Sequence, residues 1–224
     1  MLAASGTITL SGGRNGAYLS SSSVASTLGF KSGTSVLAST SNIITNFDNY
    51  SLSAAIAVNT SGTVTLQSYD NAFANAVSIP SSNLTLASSV TGLTIGKSTN
   101  TAGVTIGDVT IKGPVTVYGG DIAVNGNINT SSGGVNGDVL LKSTDNITLA
   151  LGKSITTTGG DVILWANSDG GASNGGVFFD QASGITTGTG TTVVSNAIKI
   201  TNTGGSGYTN FLSTPTIAIS SAGG

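Results

Sequence analysis

The chain's nine acids are all aspartates, and they are its first candidates for chemistry. Asp108, Asp121, Asp138 and Asp161 share one setting, after a glycine and before a β-branched residue, in GDVT, GGDI, NGDV and GGDV. Two carboxylates held on one surface would serve as the acid and base of glycoside cleavage. A lyase-type site would want clustered aspartates beside a basic side chain. Asp169, in NSDGGASNGG (167–176), sits among neutral carbonyls of the kind that bind calcium. That stretch lacks the Gly-Gly-x-Gly-x-Asp register of calcium-binding nonapeptide repeats. A catalytic residue need occur once, whereas a scaffold residue recurs in every repeat. Recurrence therefore assigns Asp121, Asp138 and Asp161 to turns, where an Asx side chain bonds the local backbone. Asp145 and Asp169 also fall in turns, and Asp180, in FFDQ, breaks the pattern. The cations are sparse. Arg14 is the single arginine, and Lys142, Lys153 and Lys199 are scattered, which predicts solvated surface charges.

Composition narrows the chemistry further. The 224 residues include no His, no Cys and no Glu, so a usual zinc site, a Cys nucleophile and a Ser-His-Asp triad are excluded. Only 7% of residues are charged and the net charge is −2, which argues against nucleic-acid binding. No apolar run approaches membrane-spanning length. The start, MLAASGTITL, lacks a basic region and a long apolar core, so it does not read as a signal peptide, and it suggests an excerpt of a longer chain. No catalytic, cofactor or metal residue is assigned.

The elements that would carry these residues are short strands. TITL (7–10), TVTL (63–66), LTIG (93–96), VTIG (104–107) and VTVY (115–118) alternate with period 2, and glycine, asparagine, aspartate or serine punctuates them. The turn-plus-strand units GGDIAV (119–124), NGDVLL (136–141), GGDVIL (159–164) and NGGVFF (174–179) recur, with NITLA (146–150) and SITTT (154–158) between the second and third. Three short strands per coil of about 20 residues predict an all-β fold, a right-handed parallel β-helix. It forms a single domain over 1–224. Residues 1–80 are irregular coils with loop insertions, 81–200 are regular coils, and 201–224 are a terminal strand and flexible tail. Ten or eleven coils would give a rod of roughly 50 Å. FDNY (47–50) and YDNAF (69–73) read as one recurring turn.

Parity sorts the side chains. Val139 and Leu141 point inward, with Ile122, Val124, Val162, Leu164, Val177 and Phe179 as their equivalents, and Ile147, Leu149 and Ile155 fill the other faces. The same parity turns Ile163 and Trp165 outward, with Ala123, Leu140 and Phe178 on the same face. An outward apolar stripe is unusual where Thr or Asn is the norm, and such patches mark contacts. Leu140, Ile163, Trp165 and Phe178 are therefore the candidate contact surface. The competing expectation is that the insertion 166–176 folds over the stripe and covers it.

Residues 83–128 and GKSITTTGGDVILWANSDGG (152–171) resemble the large bacterial surface adhesins of the filamentous haemagglutinin type, which carry GGDI, SITT and VILW rungs. The resemblance covers roughly residues 60–200. It implies a right-handed parallel β-helix, export to the bacterial cell surface, and a part in attachment or biofilm, with no catalytic residues to carry over. The expected function is a structural, adhesive segment of an extracellular fibre, not an enzyme. Its expected partners are copies of itself, adjoining segments of a longer chain, or a carbohydrate or host-surface ligand, with no nucleic acid and no membrane span. The alternatives are a carbohydrate-binding or polysaccharide-cleaving β-helix and an ice-binding solenoid. The last needs a flat outward Thr ladder, which TIT (7–9) and TVT (63–65) do not continue coil after coil.

Overall fold

The computed structural model of the chain describes residues 2–4, 8–11, 27–29, 35–51, 56–80, 83–170, 175–190, 192–195, 210–211 and 217–220. Every strand pair among them is parallel, and each joins one coil to the next. The chain is a parallel β-helix. Alternation of apolar and polar residues in three- to five-residue strands leaves each strand half-buried, and a parallel stack buries that apolar half in a shared interior.

Three faces follow one another in each coil. The long face is one nine-stranded sheet: Ile8–Ser11, Ile43–Asn46, Thr63–Gln67, Gly92–Ile95, Val115–Gly119, Val139–Ser143, Val162–Trp165, Thr192–Ser195 and Ile217–Ser220. The face preceding it in each coil is split. A four-stranded sheet ends at Leu84–Leu86, and a five-stranded sheet begins at Val109–Thr110. The face following the long sheet is split too, into a pair ending at Asn49–Ser51 and five strands from Val77–Ser78 to Val177–Phe179.

Inside, like residues stack on like. Leu93, Val115, Val139 and Val162 form one inward column of the long face, and Ile95, Val117, Leu141 and Leu164 form the next. All are buried, as are Ile122, Val124, Ile147, Leu149, Ile155, Val177 and Phe179, which is the parity expected from the sequence. Burial of this kind contributes about 25 cal/mol per Å² of apolar surface.

Two expectations need correction. The coils are unequal, with some well above the average of about 20 residues: equivalent corner residues are 19 apart from Asp108 to Asn127, 23 from Asp138 to Asp161 and 31 from Thr158 to Thr189. Among the described residues the long sheet has nine rungs, where ten or eleven coils were expected. The four turn-plus-strand units are also not equivalent. Val139 and Val162 pair in the long sheet, whereas Ile122 and Val177 both pair with Ile147 on the following face. Gly-Asp before a strand marks a corner, and a coil has more than one corner.

FDNY and YDNAF do lie one above the other: Phe47 N–H donates to Gln67 O, and Asp70 N–H to Asp48 Oδ1 at 2.8 Å. Pro80 follows the strand Val77–Ser78 and Pro114 precedes Val115–Gly119, so neither removes a needed donor. Pro215, the inferred tail and most of the first thirty-four positions lie outside the described residues.

Candidate contact surface

The corners show what the acids do. Three of them, Asp108, Asp121 and Asp138, each offer an oxygen to a main-chain N–H of the next coil. Asp108 Oδ1 accepts from Asn127 N–H at 2.8 Å, Asp138 Oδ1 from Asp161 N–H at 2.8 Å, and Asp121 Oδ1 from the N–H and amide of Asn146 at 3.3 and 3.0 Å. Asparagine extends the ladders: Asn127 Oδ1 accepts from Ser154 N–H, and Asn146 Oδ1 from Gly176 N–H. These bonds run coil to coil, not to the local turn as the sequence suggested. A chain in β conformation turning a corner leaves N–H groups without a ladder partner, and the Asx oxygen one coil below satisfies them. Asp180 is a local turn residue after all, its Oδ1 accepting from Gln181 N–H and its carbonyl from Ser183.

The glycine of the motif has its own reason. A Cβ on Gly160 would collide with the main chain of Gly137 and Asp138, and one on Gly190 with Gly160. The corner before the long face is thus packed backbone on backbone. Beside it, the buried hydroxyls of Thr130 and Thr157 donate to Gly137 O and Gly160 O, each at 2.5 Å. At another corner buried Asn100 bridges three coils. Its Oδ1 accepts from Phe73 N–H at 3.0 Å, and its Nδ2 donates to Tyr118 O at 2.8 Å.

The outward columns of the long face can now be read. One runs Thr65, Thr94, Thr116, Leu140, Ile163 from rung to rung. The adjacent one runs Tyr118, Lys142, Trp165. The threonines of the first column lie between outward Ile44, which pairs with Thr65, and the apolar Leu140 and Ile163, and Leu140, Lys142, Ile163 and Trp165 are half-buried neighbours. Lys142 lays its Nζ 4.3 Å from the centre of the Trp165 ring. Such a cation–π contact contributes about 0.5–1 kcal/mol at an exposed site. The indole Nε1 is shielded from solvent and has no hydrogen-bond partner among the described residues.

The structure brings together three of the four residues expected on this surface. Leu140, Ile163 and Trp165 share the long face, whereas Phe178 does not. Phe178 is outward on the following face, in the column Thr105, Ala123, Thr148, Phe178. The physical reason is again the corner: equal parity in VILW and VFF fixes in or out, but not which side of the coil. Tyr118 and Lys142 are the members that sequence reasoning passed over. Aligning VTVY, VLLK and VILW as successive rungs places them beside Trp165. The cover expected from 166–176 falls partly outside the described residues. Ala166 is buried, Asn167 N–H donates to Asp145 O and Ser168 N–H to Ser143 O, so this stretch continues the corner of the coil. Residues 171–174 lie outside the described residues. On the described part of the face it is Lys142 that overlies the tryptophan.

A second cluster is aromatic, with Phe47 and Phe73 buried and Tyr50 partly so. Tyr50 packs edge-on against Phe47 and Phe73. Its hydroxyl meets Thr45 Oγ1 at 2.7 Å and donates to the carbonyls of Thr45 and Gln67. Burial holds this phenol well above the usual tyrosine range, and the Thr45 hydroxyl, which can donate to the phenolate, offsets only part of that.

A cleft of about 670 Å³ lies where the split face steps between Leu84–Leu86 and Val109–Thr110. Asp108 is its one carboxylate. Among the described residues no three carboxylates gather as metal ligands, and no helix is long and apolar enough to cross a membrane. The fold and surface together define a class, a parallel β-helix with Asp108, Asp121 and Asp138 tied into its corners and an apolar, aromatic patch on its longest sheet. No protein-family model, no curated protein and no solved structure matches the chain.

Proposed function

We propose that this chain is a structural, adhesive segment of an extracellular bacterial surface protein or fibre, of the filamentous haemagglutinin type that its rungs resemble. It holds contacts away from the cell by rigidity and engages through the Tyr118–Leu140–Lys142–Ile163–Trp165 patch, against another copy or an adjoining segment. The observation that carries the reading is the uninterrupted nine-rung sheet with an apolar patch on its outer side. A continuous parallel stack transmits load through main-chain hydrogen bonds, and its outer side is polar by default, so an apolar stretch calls for a partner.

Against a catalytic role stands the use of the acids. Asp108, Asp121 and Asp138 are committed to corner bonds, and the step cleft supplies one carboxylate where glycoside cleavage calls for two. A carbohydrate-binding role is the second reading, favoured by the Tyr118, Lys142, Trp165 column, since sugars pack on aromatic faces beside hydrogen-bonding cations. Ice binding has less support. Thr65, Thr94 and Thr116 make one column of three rungs, without a second Thr column beside it.

The double variant Leu140→Asn/Ile163→Asn tests the proposal. We expect an unchanged melting temperature within a few degrees, with self-association in sedimentation and attachment of coated beads to surfaces both reduced by tenfold or more. Undiminished association and attachment in a folded variant would sink the proposal. Loss of glycan-array binding alone in Trp165→Ala would favour the carbohydrate reading.

A further inference from the structure

The split face carries an inference independent of the outer patch. At the step, two consecutive coils touch at two points: Gly107 N–H donates to Pro80 O at 3.1 Å, and Lys112 N–H to Val90 O at 2.9 Å. In the sequence nine residues, 81–89, separate those points in the lower coil, and four, 108–111, in the upper. The lower coil's surplus carries the strand Leu84–Leu86 out to pair with Ile56–Thr60, and the sheet ends there. The upper coil takes the short way and begins a new sheet at Val109–Thr110. The result is a ledge with the 670 Å³ cleft above it, lined by Leu84, Thr85, Leu86, Asp108 and Thr110 among others.

The hydrogen-bond alternation says which groups face that cleft. Ile56 N–H donates to Asn83 O and Ala87 N–H to Val58 O, so residues 83, 85 and 87 bond downward. In a parallel strand successive residues alternate sides, so the N–H and C=O of Leu84 and Leu86 turn to the ledge, where no strand is paired. Above, Val109 and Ile111 donate to Asn127 O and Asn129 O of the next coil, so the main-chain groups of Thr110 turn back toward the same space. Two strand edges thus present unladdered main chain to one cleft. The edge strand carries none of the usual blunting devices, with no lysine, proline or bulge in Leu-Thr-Leu.

We propose that this ledge receives an extended polypeptide segment, which adds as the missing rung above Leu84–Leu86. Main-chain bonds to Leu84 and Leu86 hold it, as in other strand additions. Its side chains follow the alternation below. Apolar residues lie over Leu84 and Leu86, which face the core, and a polar residue lies over exposed Thr85. Exposed Asp108 is the cleft's one charge, and it stands at the Gly107 end, where the upper coil starts along the ledge. The segment that fits is therefore a lysine or arginine followed by apolar, polar, apolar residues.

The test uses the full chain and a synthetic acetyl-Lys-Val-Thr-Val-Thr-amide peptide. We expect saturable binding with slowed exchange of the Leu84 and Leu86 amides. Methylating the peptide nitrogens that face the ledge should abolish binding. Asp108→Asn, which keeps an oxygen for Asn127 N–H, should weaken it about fivefold in low salt. No binding at millimolar peptide, protection confined to the long face or the chain ends, or binding indifferent to nitrogen methylation would each overturn the proposal. So would a neutral oligosaccharide that protects Leu84 and Leu86 where the peptide does not.

Discussion

At the scale of single residues, polar groups in this chain serve to hold coils together. The corner aspartates, Asn100 and the buried threonines Thr130 and Thr157 each satisfy main-chain groups that the turning backbone leaves open. Tyr50 does the same with its hydroxyl, at Thr45 O and Gln67 O. Its ionisation gives this a pH signature. An unfolded tyrosine ionises near pH 10, and burial keeps the folded Tyr50 protonated beyond that. Below about pH 10 its contribution to stability is fully present. Above it, the unfolded chain releases a proton that the folded one retains, so stability falls by up to about 1.4 kcal/mol per pH unit. Urea unfolding from pH 9 to 11 should show this slope, and Tyr50→Phe should flatten it. A Tyr50→Phe protein that keeps the full alkaline slope would place the effect elsewhere. Trp165 was legible as outward from its parity with Leu164. Its Lys142 neighbour was not, because the two are one coil apart and only register joins them.

At the scale of the strand, alternation separates two adjacent leucines by function. Leu141 is in the core between Val117 and Leu164, while Leu140 is on the outer face between Thr116 and Ile163. Leu141→Ala should cost about 2–5 kcal/mol, through lost burial and a cavity in a close-packed stack. Leu140→Thr should cost less than about 1 kcal/mol, since its column already holds threonine. Equal losses in chemical unfolding would mean that the inward and outward assignments are wrong. The preceding corner should be as sensitive as the core. Gly160→Ala pushes a methyl into the main chain of Gly137 and Asp138, and should cost about 1–3 kcal/mol although it removes no contact. These strands, their parity and the glycine–aspartate corners were readable because each rests on neighbours in sequence.

At the scale of the whole molecule, coils interact only with the coils on either side, so stability is local and summed along the stack. Hydrogen exchange should be slowest in Val115–Gly119, Val139–Ser143 and Val162–Trp165, which have a rung on both sides in the long sheet. Leu84–Leu86, with a rung on one side, should exchange faster at the amides of Leu84 and Leu86. One uniform rate along the chain, as all-or-none unfolding gives, would contradict a stack of separable coils. The sequence by itself determined the fold class, the inward residues, and the recurrence of Asp121, Asp138 and Asp161 at corners. These depend on period 2 and on turn residues, both local. Only the tertiary structure decided which strands share a face. Corner lengths vary between repeats, and whether Phe178 joins Ile163 or Thr148 depends on the sum of all the turns between them. For the same reason the step beside Leu84–Leu86 left no mark in the sequence, since a surplus in one coil becomes a ledge only when the next coil lacks it.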